Sequence, residues 1–135
     1  MKLAFDTSVL IELDAMNPEL METLRRLEIN APSGPMLPSP VISEYYYGFL
    51  SSVHRKNALE NLKLYDVLNT TRSSSLLMAE LSYKLEKSGR KIPEMDMLIA
   101  SICIDNGTTL VTFDRHFLRI KEIDVVIPGL RKSEK

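Results

Sequence analysis

A chain of 135 residues, 44% hydrophobic and 26% charged, holds enough apolar material for one compact core without disulfides or a structural metal. Its one cysteine, Cys103, excludes an intramolecular disulfide and a thiolate cluster, and within the apolar stretch Met97 to Ile104 it reads as a small buried hydrophobe. The net charge of −1 gives no overall pull toward nucleic acid; no stretch reaches the ~20 apolar residues of a membrane span and no secretory core follows Met1-Lys2-Leu3, so the expected setting is the cytoplasm.

The first element is a short apolar strand, Leu3-Ala4-Phe5, that stops at a carboxylate, Asp6. A helix through Val9, Leu10, Ile11 and Leu13 starts at once behind it. Asn17-Pro18 opens a second helix, a capping Asn before Pro at the first helical position. That helix places Leu20, Leu24 and Leu27 on one face, Glu19 and Glu22 early, and Arg25 and Arg26 late, as the helix dipole favours. Ala31 to Pro35 reads as a loop and Met36-Leu37 as a second strand bounded by prolines. Ser39-Pro40 starts a helix reaching Leu50, with Gly48 inside it at a cost of about 1 kcal/mol relative to Ala, which suggests close packing there.

Asn57 to Tyr65 is expected as a helix with Leu59, Leu62 and Tyr65 inward, followed by a short strand at Val67-Leu68. Ser73 to Lys87 is a clearer helix, since Leu77, Leu81 and Leu85 repeat every four residues and Ser88-Gly89 ends it. Pro93 opens the most apolar helix, Met95 to Ile104, which Asn106-Gly107 stops. Thr109 to Phe113 is a strand that also ends at an acid, Asp114. A turn of helix from His116 to Ile120 and a last strand, Val125 to Ile127, precede Pro128-Gly129. Strands separated by helices predict an α/β fold with a mainly parallel sheet: one domain over 1–130 and a polar tail over 131–135.

In such folds ligands gather at the carboxyl ends of the strands. Asp6 and Asp114 each follow a strand directly, Glu44 lies early in the helix after the second strand, and Asp96 lies in the first turn after Pro93. All four can reach one pit. Two carboxylates ~4 Å apart repel by about 4 kcal/mol at an effective dielectric near 20. A hard divalent ion such as Mg²⁺ or Mn²⁺ turns that repulsion into coordination and can serve in-line phosphoryl displacement. Setting these four acids aside changes the net charge from −1 to +3, so the rest of the chain is mildly basic. Read singly, each acid has a plainer account: Asp6 a helix cap, Asp96 a dipole partner, Glu44 a solvated charge, Asp114 a turn residue. Glu94, Asp14 and Asp105 read as surface charges, with Glu94 a minor candidate for the site. His116, a lone histidine two residues after an acid, suits a metal ligand or acid but reads first as a surface or packing residue, and His54 beside Arg55 and Lys56 as solvated. Lys84, Lys87, Arg90 and Lys91 suit either RNA phosphates or an exposed charged face. Of Tyr45, Tyr46 and Tyr47 at least one belongs in the core, and the others suit base stacking or dimer packing.

Four segments in this order carry a resemblance: Asp6-Thr7-Ser8-Val9-Leu10-Ile11; Ser43-Glu44 with Gly48; Ile92-Pro93 with Asp96 and Ile99-Ala100; and Gly107 through Leu110-Val111-Thr112 to Asp114-Arg115-His116-Phe117. From Lys2 to about Leu130 the chain resembles the PIN-domain ribonucleases, most closely toxins of the VapC kind. The resemblance implies a three-layer α/β fold and a Mg²⁺- or Mn²⁺-dependent endoribonuclease with Asp6, Glu44, Asp96 and Asp114 as metal ligands. It points to Ser8 and Thr112 as hydroxyls that orient those carboxylates. It also implies a homodimer and a protein antitoxin covering the acidic pit. The alternatives are an RNA-processing nuclease that is not a toxin, and a non-catalytic RNA- or partner-binding module of the same fold. A phosphohydrolase with Asp6 as nucleophile would want an acid two residues on, where Ser8 stands, and a receiver-type module lacks an acidic pair before Asp6.

Overall fold

The computed structural model describes residues 1–28, 31 and 33–130. The tail expected over 131–135, and Pro32 in the expected loop, lie outside the described residues. Five strands form one sheet in the order β3-β2-β1-β4-β5, with every pair parallel: β1 (Leu3–Phe5), β2 (Pro35–Pro38), β3 (Asp66–Leu68), β4 (Thr109–Val111) and β5 (Val125–Val126). The central strand β1 is buried along its whole length, as an all-parallel sheet covered on both faces requires. Among the described residues six helices surround the sheet: α1 (Thr7–Asp14), α2 (Pro18–Glu28), α3 (Ser39–Tyr47), α4 (Arg55–Leu62), α5 (Arg72–Lys87) and α6 (Glu94–Asp105). A short 3-10 helix, Arg115–Arg119, links β4 to the segment before β5.

Local chemistry explains most element ends. The Asn17 side chain accepts the Leu20 backbone N–H at 3.1 Å, which caps α2 ahead of Pro18. Thr71 and Ser74 form a reciprocal capping box at the start of α5, and Gly89, at φ +69°, carries the chain out of its end. Helix α6 buries Met97, Ile99, Ala100, Ser101, Ile102 and Cys103, so it is the helix most enclosed by the core. Burial pushes the Cys103 thiol up to about 12, which leaves it an inert hydrophobe.

Three sequence expectations change. Helix α3 ends at Tyr47, so Gly48 follows the helix rather than interrupting it; a Cβ there would meet only the Tyr45 carbonyl oxygen at 3.4 Å, and no close neighbour demands glycine. Helix α4 runs from Arg55 to Leu62, beginning two residues early and ending short of Tyr65, and it packs on the core through Ala58 while Leu59 faces outward. Strand β4 stops at Val111: the Thr112 N–H still donates to the Val126 carbonyl at 3.1 Å, but its hydroxyl and the Phe113 N–H turn to the Asp6 and Ser8 side chains.

The topology also marks a place. From β1 the chain moves to β2 and β3 on one side, then returns to β4 and β5 on the other. Strands β1 and β4 therefore flank the point where the winding reverses. In open α/β sheets the crevice beyond the strand ends at such a point is where ligands bind.

Candidate metal centre

Asp6 is the first residue past β1, and its main chain stays registered to the sheet, with its N–H donated to the Val111 carbonyl at 3.1 Å. The side chain is 6% exposed, so an ionised carboxylate there must be satisfied by the protein. Thr112 Oγ1 donates to Asp6 Oδ2 at 2.7 Å and Ser8 Oγ donates to the same oxygen at 3.2 Å. Each hydroxyl also accepts from the chain beyond β4: Thr112 from the Asp114 N–H at 3.0 Å, Ser8 from the Phe113 N–H at 3.1 Å. The two hydroxyls therefore tie the exits of β1 and β4 together and fix one carboxylate oxygen. These are the two residues expected to orient the acids.

Asp114 caps the 3-10 helix, its Oδ1 accepting the His116 N–H at 2.9 Å. Helix α6 brings Asp96 to the same spot from its first turn. One ligand atom each from Asp96, Asp114 and His116 lie within 4.8 Å of one another. Two such carboxylates repel by about 3 kcal/mol at an effective dielectric near 20, less what solvent screening removes. Glu44 stands at the outer lip, exposed, where Thr7 Oγ1 donates to its Oε1 at 3.2 Å.

Electrostatics join the four acids into one group. Burial holds Asp6 above its ordinary range; the Thr112, Thr7 and Ser8 donors oppose this, and Asp114 adds repulsion. Burial likewise raises Asp96, with Asp114 and then Asp6 adding to it and His116 opposing. Glu44 is raised first by burial, opposed by the Thr7 hydroxyl, with Asp6 and Asp96 adding repulsion. Three carboxyls held above their usual range by burial and by one another form one electrostatically coupled group rather than three unrelated acids.

His116, whose sequence reading left a ligand role open behind a surface or packing one, lies beside this cluster. The 3-10 helix aims its Nδ1 inward, 3.1 Å from Asp114 Oδ1 and 3.6 Å from Asp96 Oδ2. Nothing in the sequence alone reveals this, because Asp96 and His116 meet only after the chain has crossed from α6 through β4. The minor candidate Glu94 is exposed at the start of α6. Asp14 instead accepts the Tyr45 hydroxyl at 2.7 Å, and Tyr45 is the buried member of the tyrosine run. Tyr46 Oη accepts from Arg55 Nε at 2.7 Å, while Tyr47 is exposed.

The predicted cations divide. Lys84 and Arg90 line a cavity of about 330 Å³ together with Arg119 and Lys121, over the apolar side chains of Leu85 and Ile120. Lys84 also approaches Glu122 at 3.6 Å. Lys87 instead lies over the Tyr83 ring at 5.3 Å and Lys91 pairs with Glu86 at 3.6 Å. Arg119 donates to the Lys91 carbonyl at 3.2 Å, which fastens the 3-10 helix to the segment before α6. Arg119 and Lys121 were not distinguishable from other surface cations in the sequence.

The PIN domain family model matches residues 3–123 of the chain. No curated protein matches its sequence. Among solved structures, it is similar to a chain of VapBC2 from Rickettsia felis bound to a DNA fragment from their promoter, at 23% identity, covering 94% of this chain and 98% of that one with a TM-score of 0.80. A chain of VapBC-1 from nontypeable Haemophilus influenzae matches at 20% identity with the same coverages and a TM-score of 0.78. A toxin-antitoxin complex from Klebsiella pneumoniae gives 21% identity, again 94% and 98%, and a TM-score of 0.71. At these identities the structures share the fold, and the family match extends over most of the sequence: the chain belongs to the PIN domain family.

Proposed function

We propose that the protein is a Mg²⁺- or Mn²⁺-dependent endoribonuclease in which Asp6, Glu44, Asp96 and Asp114 hold the metal, and that it serves as the toxin of a toxin–antitoxin pair. The observation that carries this reading is the convergence of four acids around the buried Asp6 carboxylate, in a chain of a family whose members are generally nucleases. The donor set fits a hard divalent ion: carboxylate oxygens crowd together with no lysine or arginine paired to them among the described residues. Bound there, the ion supplies a water of lowered pKa and offsets charge on the phosphate oxygens.

The chain's own groups do the rest. Thr112 and Ser8 hold Asp6 in one orientation, and the His116 N–H holds Asp114. Glu44, at the exposed lip, completes the carboxylate set, with the Thr7 hydroxyl donating to its Oε1. Lys84, Arg90, Arg119 and Lys121 position the backbone of the RNA strand, while the remaining predicted cations, Lys87 over Tyr83 and Lys91 paired with Glu86, stand outside that cavity. The solved relatives named above are two-component assemblies, which supports a protein antitoxin that covers the acidic pit. A homodimer and a cytoplasmic setting complete the reading. No helix among the described residues is long and apolar enough to cross a membrane.

The test is cleavage of a mixed set of structured RNAs with Mn²⁺, with EDTA, and with Asp6→Asn. Cleavage that requires both the metal and Asp6 is the expected result. Folded protein that neither cleaves nor binds Mn²⁺ would contradict the reading and favour a non-catalytic binding module.

A further inference from the structure

Among the described residues, one buried side-chain nitrogen or oxygen lacks a hydrogen-bond partner: His116 Nδ1. An orphaned buried polar atom costs stability unless something else engages it. Its surroundings are specific. Asp114 Oδ1 lies 3.1 Å away but already accepts the backbone N–H of His116, and the ring nitrogen does not meet it in hydrogen-bonding geometry. Asp96 Oδ2, at 3.6 Å, is beyond hydrogen-bond reach. An imidazole with its proton on the outer ring nitrogen presents a lone pair at this point, between two carboxylates.

We propose that His116 is itself a ligand of the divalent ion through Nδ1, forming an Asp96–Asp114–His116 face of the site that favours Mn²⁺ over Mg²⁺. This rests on the metal-site reading given above and adds a nitrogen donor to it. An ion with bonds of ~2.1 Å separates its ligand atoms by up to ~4.2 Å. The three atoms lie within 4.8 Å of one another, so a small inward movement brings them to coordination spacing. Mg²⁺ is hard and gives up water reluctantly, whereas a neutral imidazole suits transition-metal ions. Four carboxylates alone would suit both ions, and a nitrogen among them tilts the balance. The 3-10 turn is held by the Asp114 cap, the buried Phe117 and the Arg119 bond to the Lys91 carbonyl, none of which uses the imidazole, so replacing it leaves that scaffold in place.

The chain has two histidines, and His54 is exposed and remote in sequence from the site, so a nitrogen signal is assignable. Pulsed electron paramagnetic resonance of untagged protein loaded with Mn²⁺ is expected to show ¹⁴N coupling of an imidazole, retained in His54→Ala and lost in His116→Ala. In calorimetry, His116→Ala is expected to weaken Mn²⁺ binding by about tenfold or more and Mg²⁺ binding by far less. His116→Asn, which keeps the polarity of the turn, gives the same loss if the alanine variant folds poorly. Mn²⁺ bound without ¹⁴N coupling, with affinity unchanged in the variants, overturns the nitrogen ligand and leaves the carboxylate site standing. Wild-type protein that binds neither ion overturns both.

Discussion

The two ends of α6 carry carboxylates in opposite circumstances. At its C-terminal end Asp105 accepts hydroxyls from Thr71, at 3.3 Å, and from Ser73, both at the start of α5. No other acid crowds it in that network, and its evident work is to clamp two helices together. At the N-terminal end Asp96 gains from the helix dipole, yet it faces Asp114 and Asp6, and burial and repulsion raise it. Asp105 has neutral donors and no crowding acid, whereas Asp96 stands among other acids, as the proposed cation site requires. The same contrast holds within the site, where Thr112 and Ser8 satisfy one oxygen of Asp6 while its neighbours repel it.

Substitutions at the two ends should separate these roles. The largest effect is expected from Asp96→Asn, which should lower metal-dependent RNA cleavage by about a thousandfold in a single-turnover assay. Thr112→Val should come next. It removes the 2.7 Å donor to Asp6 and the acceptor of the Asp114 N–H, so cleavage should fall about 10- to 100-fold, with weaker Mn²⁺ binding in calorimetry. Asp105→Ala should leave cleavage unchanged and cost about 1 kcal/mol in urea denaturation, because it unties α5 from α6. An activity loss at Asp105, or none at Asp96, would erase the comparison.

Much of this was legible in the chain because the signals are local. An apolar run ending at an acid marks the exits of β1 and β4, and Pro18 and Pro93 mark helix starts, since each depends on a few consecutive residues. Glu44 and Asp96 follow from helix placement. The rest needed the assembled fold. His116 meets Asp96 through the turn taken after β4, and Arg119 joins Lys84 and Arg90 only because it donates to the Lys91 carbonyl. The outward Leu59 and the position of Gly48 after α3 depend on helix ends set by tertiary packing, which periodicity locates to within a residue or two.

The smallest predicted effect is one of pH. In metal-free protein, Asp96 holds its proton more tightly folded than unfolded, so its contribution to stability is greatest at low pH. That contribution is lost as pH rises from about 4, the ordinary carboxylate value, through the raised native one. The stability gap favouring Asp96→Asn over wild type should therefore widen between about pH 4 and 7, as read from urea midpoints.

If the crowded acids form one cation site, thermal unfolding of wild type and Asp96→Asn with and without Mn²⁺ will separate the two proteins. Saturation at about a hundred times the dissociation constant adds about 2.7 kcal/mol, which raises the midpoint of a domain this size by roughly 5–10 °C. The account predicts that Asp96→Asn melts above the wild type without metal, and that Mn²⁺ raises the wild type strongly and the variant little. A variant that melts below the wild type, in a protein whose midpoint ignores Mn²⁺, would make Asp96 a structural carboxylate and contradict the account.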